Sequence, residues 1–305
     1  VYDIKHDGLY KKARLVAGGH MTEADKEDLY SGVVSLKSMR LAMLVGEMNG
    51  LSSMVGDIGN AYLESFTRVK VCFVAGSEFG ELEGHTLVIV KALYGLRTSG
   101  ARFHEKLADT LREEGFVPSL ADPDLWLRDA GDCYEYVCVY VDDLMCVMRD
   151  PAEFFRRLSD PEIHGYKLKG VGPPEYHLGG NFGRDPDGTL WWGSQSYIEK
   201  MLNNYERQFR SLPAKKSAPM VDGDHPELDT SDLLDEEKKS LYMSLVGAMQ
   251  WAVTLGRFDI AYATMVMSRF RGEPRVGHME RLQYLFGYLR KNPDAKIRFR
   301  TGYPE

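Results

Sequence analysis

Asp142 and Asp143 stand side by side between two apolar runs, 134–141 and 144–148. Adjacent carboxylates in such a setting resist joint ionisation unless a cation compensates them. Carboxylate and carbonyl oxygens select a hard divalent ion such as Mg²⁺. A metal needs a further acid, and Asp57 is the natural candidate, because it ends another short apolar run, 53–58. If the two segments are neighbours in a sheet, Asp57 and Asp142 converge at one edge. Two metals about 3.5–4 Å apart there could activate a hydroxyl and stabilise a leaving oxygen. That is phosphoryl-transfer chemistry, in which positioning and charge stabilisation dominate. Taken alone, the two adjacent residues read first as a solvated Asp-Asp turn.

The elements around these residues can be read from periodicity. Tyr134, Tyr136, Cys138 and Tyr140 alternate with Glu135, Val137, Val139 and Val141, which predicts a strand, a tight acidic turn and a return strand. Residues 1–17 read as a hairpin turning at Asp7-Gly8, and 181–193 as another turning at Asp185-Pro186-Asp187-Gly188. A buried helix is expected over 36–49 and an amphipathic one over 100–114, where Phe103, Leu107 and Leu111 recur on one face. A strand falls near 86–90, before a glycine turn at Tyr94-Gly95-Leu96. Further helices are expected at 197–205, 240–255, 259–271 and 278–291, with the best linker at 219–235. Mixed strands and helices followed by a helical tail indicate an α+β chain with an appended helical subdomain.

Composition sets the outer bounds. The 305 residues are 44% hydrophobic and 27% charged, with a formal charge of −7. This excludes disordered and collagen-like classes, and no apolar run approaches a membrane span. Four cysteines lack C-x-x-C spacing, so small buried thiols are expected rather than zinc or disulfides. The acidic sum argues at first against a nucleic-acid partner, but the charge is uneven. Residues 1–150 carry 16 Lys/Arg against 24 Asp/Glu, whereas 241–305 carry 10 against 5 behind an acidic stretch at 221–240. A basic tail of this kind suits phosphates, or a solvated helix face.

Tyr140-Val141-Asp142-Asp143 resembles the Y-x-D-D motif of reverse transcriptases. Asp57-Ile58-Gly59-Asn60-Ala61-Tyr62 resembles their first acidic motif. Lys12-Ala13-Arg14-Leu15-Val16, Ala92-Leu93-Tyr94-Gly95-Leu96-Arg97 and Ala121-Asp122-Pro123-Asp124-Leu125-Trp126 are similar to the branch found in copia-type LTR retrotransposons. So are Tyr176-His177-Leu178-Gly179-Gly180, Arg257-Phe258-Asp259-Ile260-Ala261-Tyr262-Ala263 and Ser268-Arg269-Phe270. The matches are collinear over nearly the whole chain.

The resemblance implies an α+β right-hand polymerase. Its fingers, its palm (a mixed or antiparallel sheet with helices on one face) and its helical thumb would divide as follows. Residues 1–50 would be N-terminally truncated fingers, 51–65 palm with the first catalytic Asp, and 66–120 fingers and palm. Residues 121–182 would be palm with the YVDD hairpin and primer grip. The thumb would be 183–305, with an acidic linker near 219–237 and no RNase H domain. Asp57, Asp142 and Asp143 would be the catalytic acids. Asp57, the Ile58 carbonyl and Asp142 would ligate two Mg²⁺ ions, with Mn²⁺ as a substitute. Arg14, Lys12, Tyr62, Tyr94, Gly95 and Arg97 would contact the dNTP, with Tyr62 excluding a 2′-hydroxyl. Gly95 would let the backbone approach that ligand. Leu178, Gly179 and Gly180 would grip the primer, and Arg257, Arg269 and Arg271 would meet nucleic acid. Lys167 or Lys169 is a candidate proton donor to pyrophosphate.

The implied activity is RNA- and DNA-templated DNA synthesis, a nucleotidyltransferase reaction. The partners would be an RNA or DNA template with primer, dNTPs, and RNase H and integrase segments of the same polyprotein, with no membrane. The setting would be intracellular: cytoplasm or virus-like particles. Gly100 stands where proline is usual, and Gly18-Gly19-His20 where a basic residue and an aromatic are usual. The alternative is a non-catalytic nucleic-acid-binding or assembly module derived from a retroelement.

Overall fold

The computed structural model describes residues 2–4, 11–13, 15–19 and 31–302. The chain forms two compact units that divide between Pro173 and Pro174.

The first unit begins with β1 (Tyr2–Ile4) and β2 (Lys11–Ala13), paired antiparallel as expected, although the Asp7-Gly8 turn lies outside the described residues. Then follow α1 (Leu36–Met48), β3 (Ser52–Ile58), β4 (Phe66–Val74), β5 (Thr86–Lys91) and α2 (Ser99–Glu113). The unit continues with β6 (Val117–Pro118), β7 (Leu125–Asp129), β8 (Tyr134–Tyr140), β9 (Asp143–Met148), α3 (Pro151–Ser159) and β10 (Leu168–Gly172). One antiparallel sheet has the order β10-β3-β9-β8-β7-β6, and β4 and β5 form a separate ribbon.

Local chemistry fixes the helix starts. The Ser35 hydroxyl accepts from the Ser38 N–H at the head of α1. Asp150 caps α3 through the Glu153 N–H, with Pro151 in the first turn.

The expectation of helices on one face of the sheet is corrected. β8 and β9 are buried at successive positions, not alternate ones, so both faces need a cover. Val137, Val139, Leu144 and Cys146 pack with Phe103, Leu107 and Leu111 of α2 and with Phe154, Phe155 and Leu158 of α3. Val147, of opposite parity, meets α1 so closely that a Cβ on Gly46 would lie 2.3 Å from its side chain.

The second unit contains β11 (Tyr176–His177), β12 (Gly180–Arg184), β13 (Leu190–Gly193), α4 (Gln195–Phe209), α5 (Glu236–Thr254), α6 (Ala261–Ser268), α7 (Val276–Lys291) and β14 (Lys296–Phe299). Tyr205, Tyr242, Val246, Met249, Met267, Leu282 and Phe286 form its helical core. The hairpin expected at 181–193 is observed as β12 and β13, and the helical thumb expected over 183–305 is corrected by β14, which extends an antiparallel sheet of order β11-β12-β13-β14. The basic residues of β14 explain its docking: Lys296 reaches Asp185 at 2.8 Å, and Arg298 binds the same carboxylate.

Residues 219–237, expected as a linker, pack as a strap along α7. Asp224 holds the Arg281 guanidinium through two contacts, at 2.7 and 2.8 Å, and Asp229 holds it at 2.6 Å. The Val276 N–H donates to the Asp232 carbonyl and the Leu234 N–H to the Pro274 carbonyl, both at 2.9 Å.

Candidate active site

β8 and β9 are joined by Val141 and Asp142 alone, with Tyr140 opposite Asp143. Val141 has φ +58°. A β-branched residue resists that region, and the first position of a two-residue hairpin turn with positive φ is ordinarily glycine. Asp142 therefore sits at the tip of a strained turn.

β3 lies against β9, but in a register that differs from the simplest expectation. Asp57 is directly opposite Asp143, not Asp142. Asp142 is tied to the same strand by its carbonyl, which accepts from the Ile58 N–H at 2.8 Å. The three acids are thus brought to one end of the β3-β9-β8 strands, and all are half-buried. Burial, then the charges of Asp142 and Asp57, pushes the Asp143 carboxyl up to about 6. Burial is the larger cause, and the like charges of the neighbouring acids add to it.

The donor set matches a hard cation in chemistry and in charge. Among the described residues, however, no group of three or more His, Cys, Asp or Glu side chains is arranged to hold a metal. The Ile58 side chain is buried in the core, and its N–H is spent on Asp142. On the other side of β3, Lys169 of β10 stands opposite Asp57, and the Gly59 N–H donates to the Lys167 carbonyl at 2.7 Å. Pairing therefore brings Lys169 to the acids' edge, while Lys167 contributes backbone.

Tyr62 follows in a short 3₁₀ turn, Ala61–Glu64, entered through left-handed Asn60. Its ring lies 4.8 Å from that of Tyr94 and 6.4 Å from that of Phe103, so it is half-buried against α2 and the Tyr94-Gly95 turn. The reason expected for Gly95 is corrected. Its φ is +91°, and a Cβ there would lie 2.1 Å from the Ala17 carbonyl oxygen. A close approach at Gly95 is thus made by the chain itself. The Ala17 N–H donates to the Tyr94 carbonyl at 2.7 Å, and Arg97 Nε donates to the Gly19 carbonyl at 2.9 Å. Tyr94, Gly95 and Arg97 thus anchor segment 15–19, which follows β2. Arg14 and the Lys12 side chain lie outside the described residues.

In the second unit, Leu178 and Gly179 form the turn between β11 and β12, with φ of +48° and +86°. Gly180 abuts Trp192, where a Cβ would lie 1.9 Å from the indole nitrogen.

Arg257 cannot meet nucleic acid, and that expectation is corrected. It is 0% exposed and grips Asp259 at 2.9 and 2.7 Å. Arg269 and Arg271 are exposed. Most of the basic tail is likewise committed within the unit: Arg281 to the strap, Arg290 to the Pro213 carbonyl, and Lys296 and Arg298 to Asp185. A count of charges along the sequence does not distinguish such internal pairing from a free basic face.

A family model described as reverse transcriptase (RNA-dependent DNA polymerase) matches residues 1–211. The chain is 26% identical over 307 residues to the retrovirus-related Pol polyprotein from transposon TNT 1-94 of Nicotiana tabacum; the match covers 95% of this chain and 23% of that protein. It is 27% identical to the corresponding polyprotein from transposon RE1 of Arabidopsis thaliana, covering 95% of the chain and 20% of the relative. It is 28% identical to a transposon Ty5-1 protein of Saccharomyces cerevisiae, covering 69% and 66%. The chain therefore spans under a quarter of the length of the two polyproteins. No solved structure matches it.

Proposed function

The chain belongs to the reverse transcriptase family, in the branch carried by copia-type retrotransposons, and on that premise we propose that it adds dNTPs to a primer 3′ end on RNA or DNA templates. The observation that carries this reading is the placement of Asp57, Asp142 and Asp143 at one end of adjacent strands, with Asp142 on a strained two-residue turn. In this reading the first unit supplies fingers and palm. The Leu178-Gly179-Gly180 turn grips the primer, and the second unit's exposed arginines, Arg269 and Arg271, meet the duplex backbone.

Asp57 and Asp142, with Asp143 beside them, would hold Mg²⁺. When bound, the metal supplies charge neutralisation at the attacking and leaving oxygens. The protein's own part is positional. β3 and β9 fix the acids in register. Tyr62, braced by Tyr94 and Phe103, would exclude a 2′-hydroxyl. Arg14 would hold the triphosphate by a bidentate contact, and Lys169, which pairs with Asp57 across β3 and β10, would donate a proton to the departing pyrophosphate.

Primer extension with Mg²⁺ and dNTPs tests this. Asp57→Asn and Asp142→Asn are expected to lose extension by at least roughly a thousandfold while template-primer binding persists. Extension undiminished in both variants overturns the reading.

A further inference from the structure

We propose that Asp122 and Asp124 are positioning residues for the Val141-Asp142 turn, an inference that rests on the polymerase reading above. β7 begins only at Leu125, opposite Cys138, so the last residues of β8 run beyond their partner strand. Val139 nevertheless has both backbone groups satisfied. Its N–H donates to the Asp124 carbonyl at 2.9 Å, and its carbonyl accepts from the Val34 N–H at 2.8 Å. Two non-strand segments replace the missing strand just before the acidic turn.

Each segment is held by a carboxylate of the Asp122-Pro123-Asp124 string. Asp122 Oδ2 accepts from the Ser35 N–H at 3.0 Å, fixing the residue after Val34 at the head of α1. Burial opposes ionisation of Asp122, but hydrogen bonds from Ser38 and Ser35 outweigh it and hold the carboxyl below its usual range. Asp124 is 2% exposed and bonds His104 Nε2 at 2.6 Å, which anchors the string to α2. The Asp124 N–H faces Asp122 Oδ1 at 3.4 Å, joining the two anchors. Both carboxylates are thus committed within the fold.

The turn needs this support. A positive-φ valine persists only where its surroundings over-determine it. On the β9 side, the ladder to β3 and the bond from the Ile58 N–H to the Asp142 carbonyl provide that constraint. On the β8 side, among the described residues, only the 122–124 string and Val34 reach Val139 from beyond the end of β7.

The test compares Asp122→Ala and Asp124→Ala with Asp122→Asn and Asp124→Asn in the whole chain. The alanine variants are expected to lower kcat for primer extension roughly ten- to a hundredfold, because small misplacements of reacting groups are costly. The dNTP KM and template-primer Kd should stay within about twofold. The asparagine variants, which keep an acceptor oxygen, should recover most of the rate. Hydrogen exchange supplies a readout independent of activity: amides of 139–144 should exchange roughly tenfold faster in the alanine variants, with α3 still protected. Unchanged kcat and exchange overturn the inference. So does a general loss of protection with KM and Kd worsening together, which would mark a merely structural role. If the unmutated chain extends no primer, the polymerase reading fails, and the exchange pattern alone decides whether the string holds the turn.

Discussion

Arg257 and Arg269 have the same side chain, yet their surroundings give them opposite roles. Arg257 is sealed in the core with one nitrogen, Nη1, lacking a hydrogen-bond partner among the described residues. Arg257→Ala empties a fully buried site and is expected to destabilise the second unit by roughly 3 kcal/mol. Denaturant unfolding measures it, and a loss near zero would show the pair to be dispensable. The sequence marks both arginines as basic but does not show which one a helical core will enclose. Gly95 was legible only in part. Its residue type announced a close approach, but the group approached, the Ala17 carbonyl, comes from a remote segment. The acids were the most legible residues, because two apolar runs frame them. Their pairing was not, since a shift of one residue at the turn decides whether Asp57 faces Asp142 or Asp143.

At the level of elements, periodicity located most helices and the acidic hairpin. The helix expected at 36–49 is observed at Leu36–Met48 and that at 100–114 at Ser99–Glu113, because one buried face repeats along each. Strands β10 and β14 escaped notice. They are short and half-exposed, so alternation in their sequences is weak.

On α6, Tyr262 and Met265 stand 73% and 64% exposed on the same side as Arg269, the surface the duplex reading needs. Arg269→Ala and Arg271→Ala should each weaken template-primer binding and lower the salt slope of log K by about one. Titrating binding against salt checks this, and an unchanged slope removes these residues from the interface.

The strap makes a different prediction. The Ser231 hydroxyl first, and then Arg281, depress the Asp229 carboxyl to about 2 from an ordinary 3.8. A carboxyl depressed in the folded state stabilises above its unfolded pKa and loses that contribution as pH falls through the folded value. The contribution is on the order of 2 kcal/mol, and it should vanish between about pH 4 and 2. Acid unfolding of Asp229→Asn should show a shallower pH dependence in that window, and an identical profile would refute it.

For the molecule as a whole, the charge divides with the fold. Residues 1–173 carry 20 Lys/Arg against 27 Asp/Glu, and 174–305 carry 18 against 18, so the first unit accounts for the entire −7. The net field therefore does not draw in nucleic acid, and in the polymerase reading contact depends on a few exposed cations. Removing Mg²⁺ with a chelator at constant ionic strength should abolish extension while changing template-primer Kd by less than about threefold, because phosphate contacts and acids are separate groups. A fluorescence anisotropy titration run beside the extension assay checks both halves, and binding that collapses with extension would contradict the separation.

Strand β14 also orders events in time. Phe299 lies opposite Leu190, so the outer strand of the second unit's sheet is made about a hundred residues after the strand it pairs with. The first unit has all its strands once Gly172 is made and can fold while translation continues. The nascent second unit meanwhile presents β13 as an open edge, the kind of edge that neighbouring chains on one polysome can pair with. Translation speed between codons 193 and 299 thus sets how long newly made copies are vulnerable to one another.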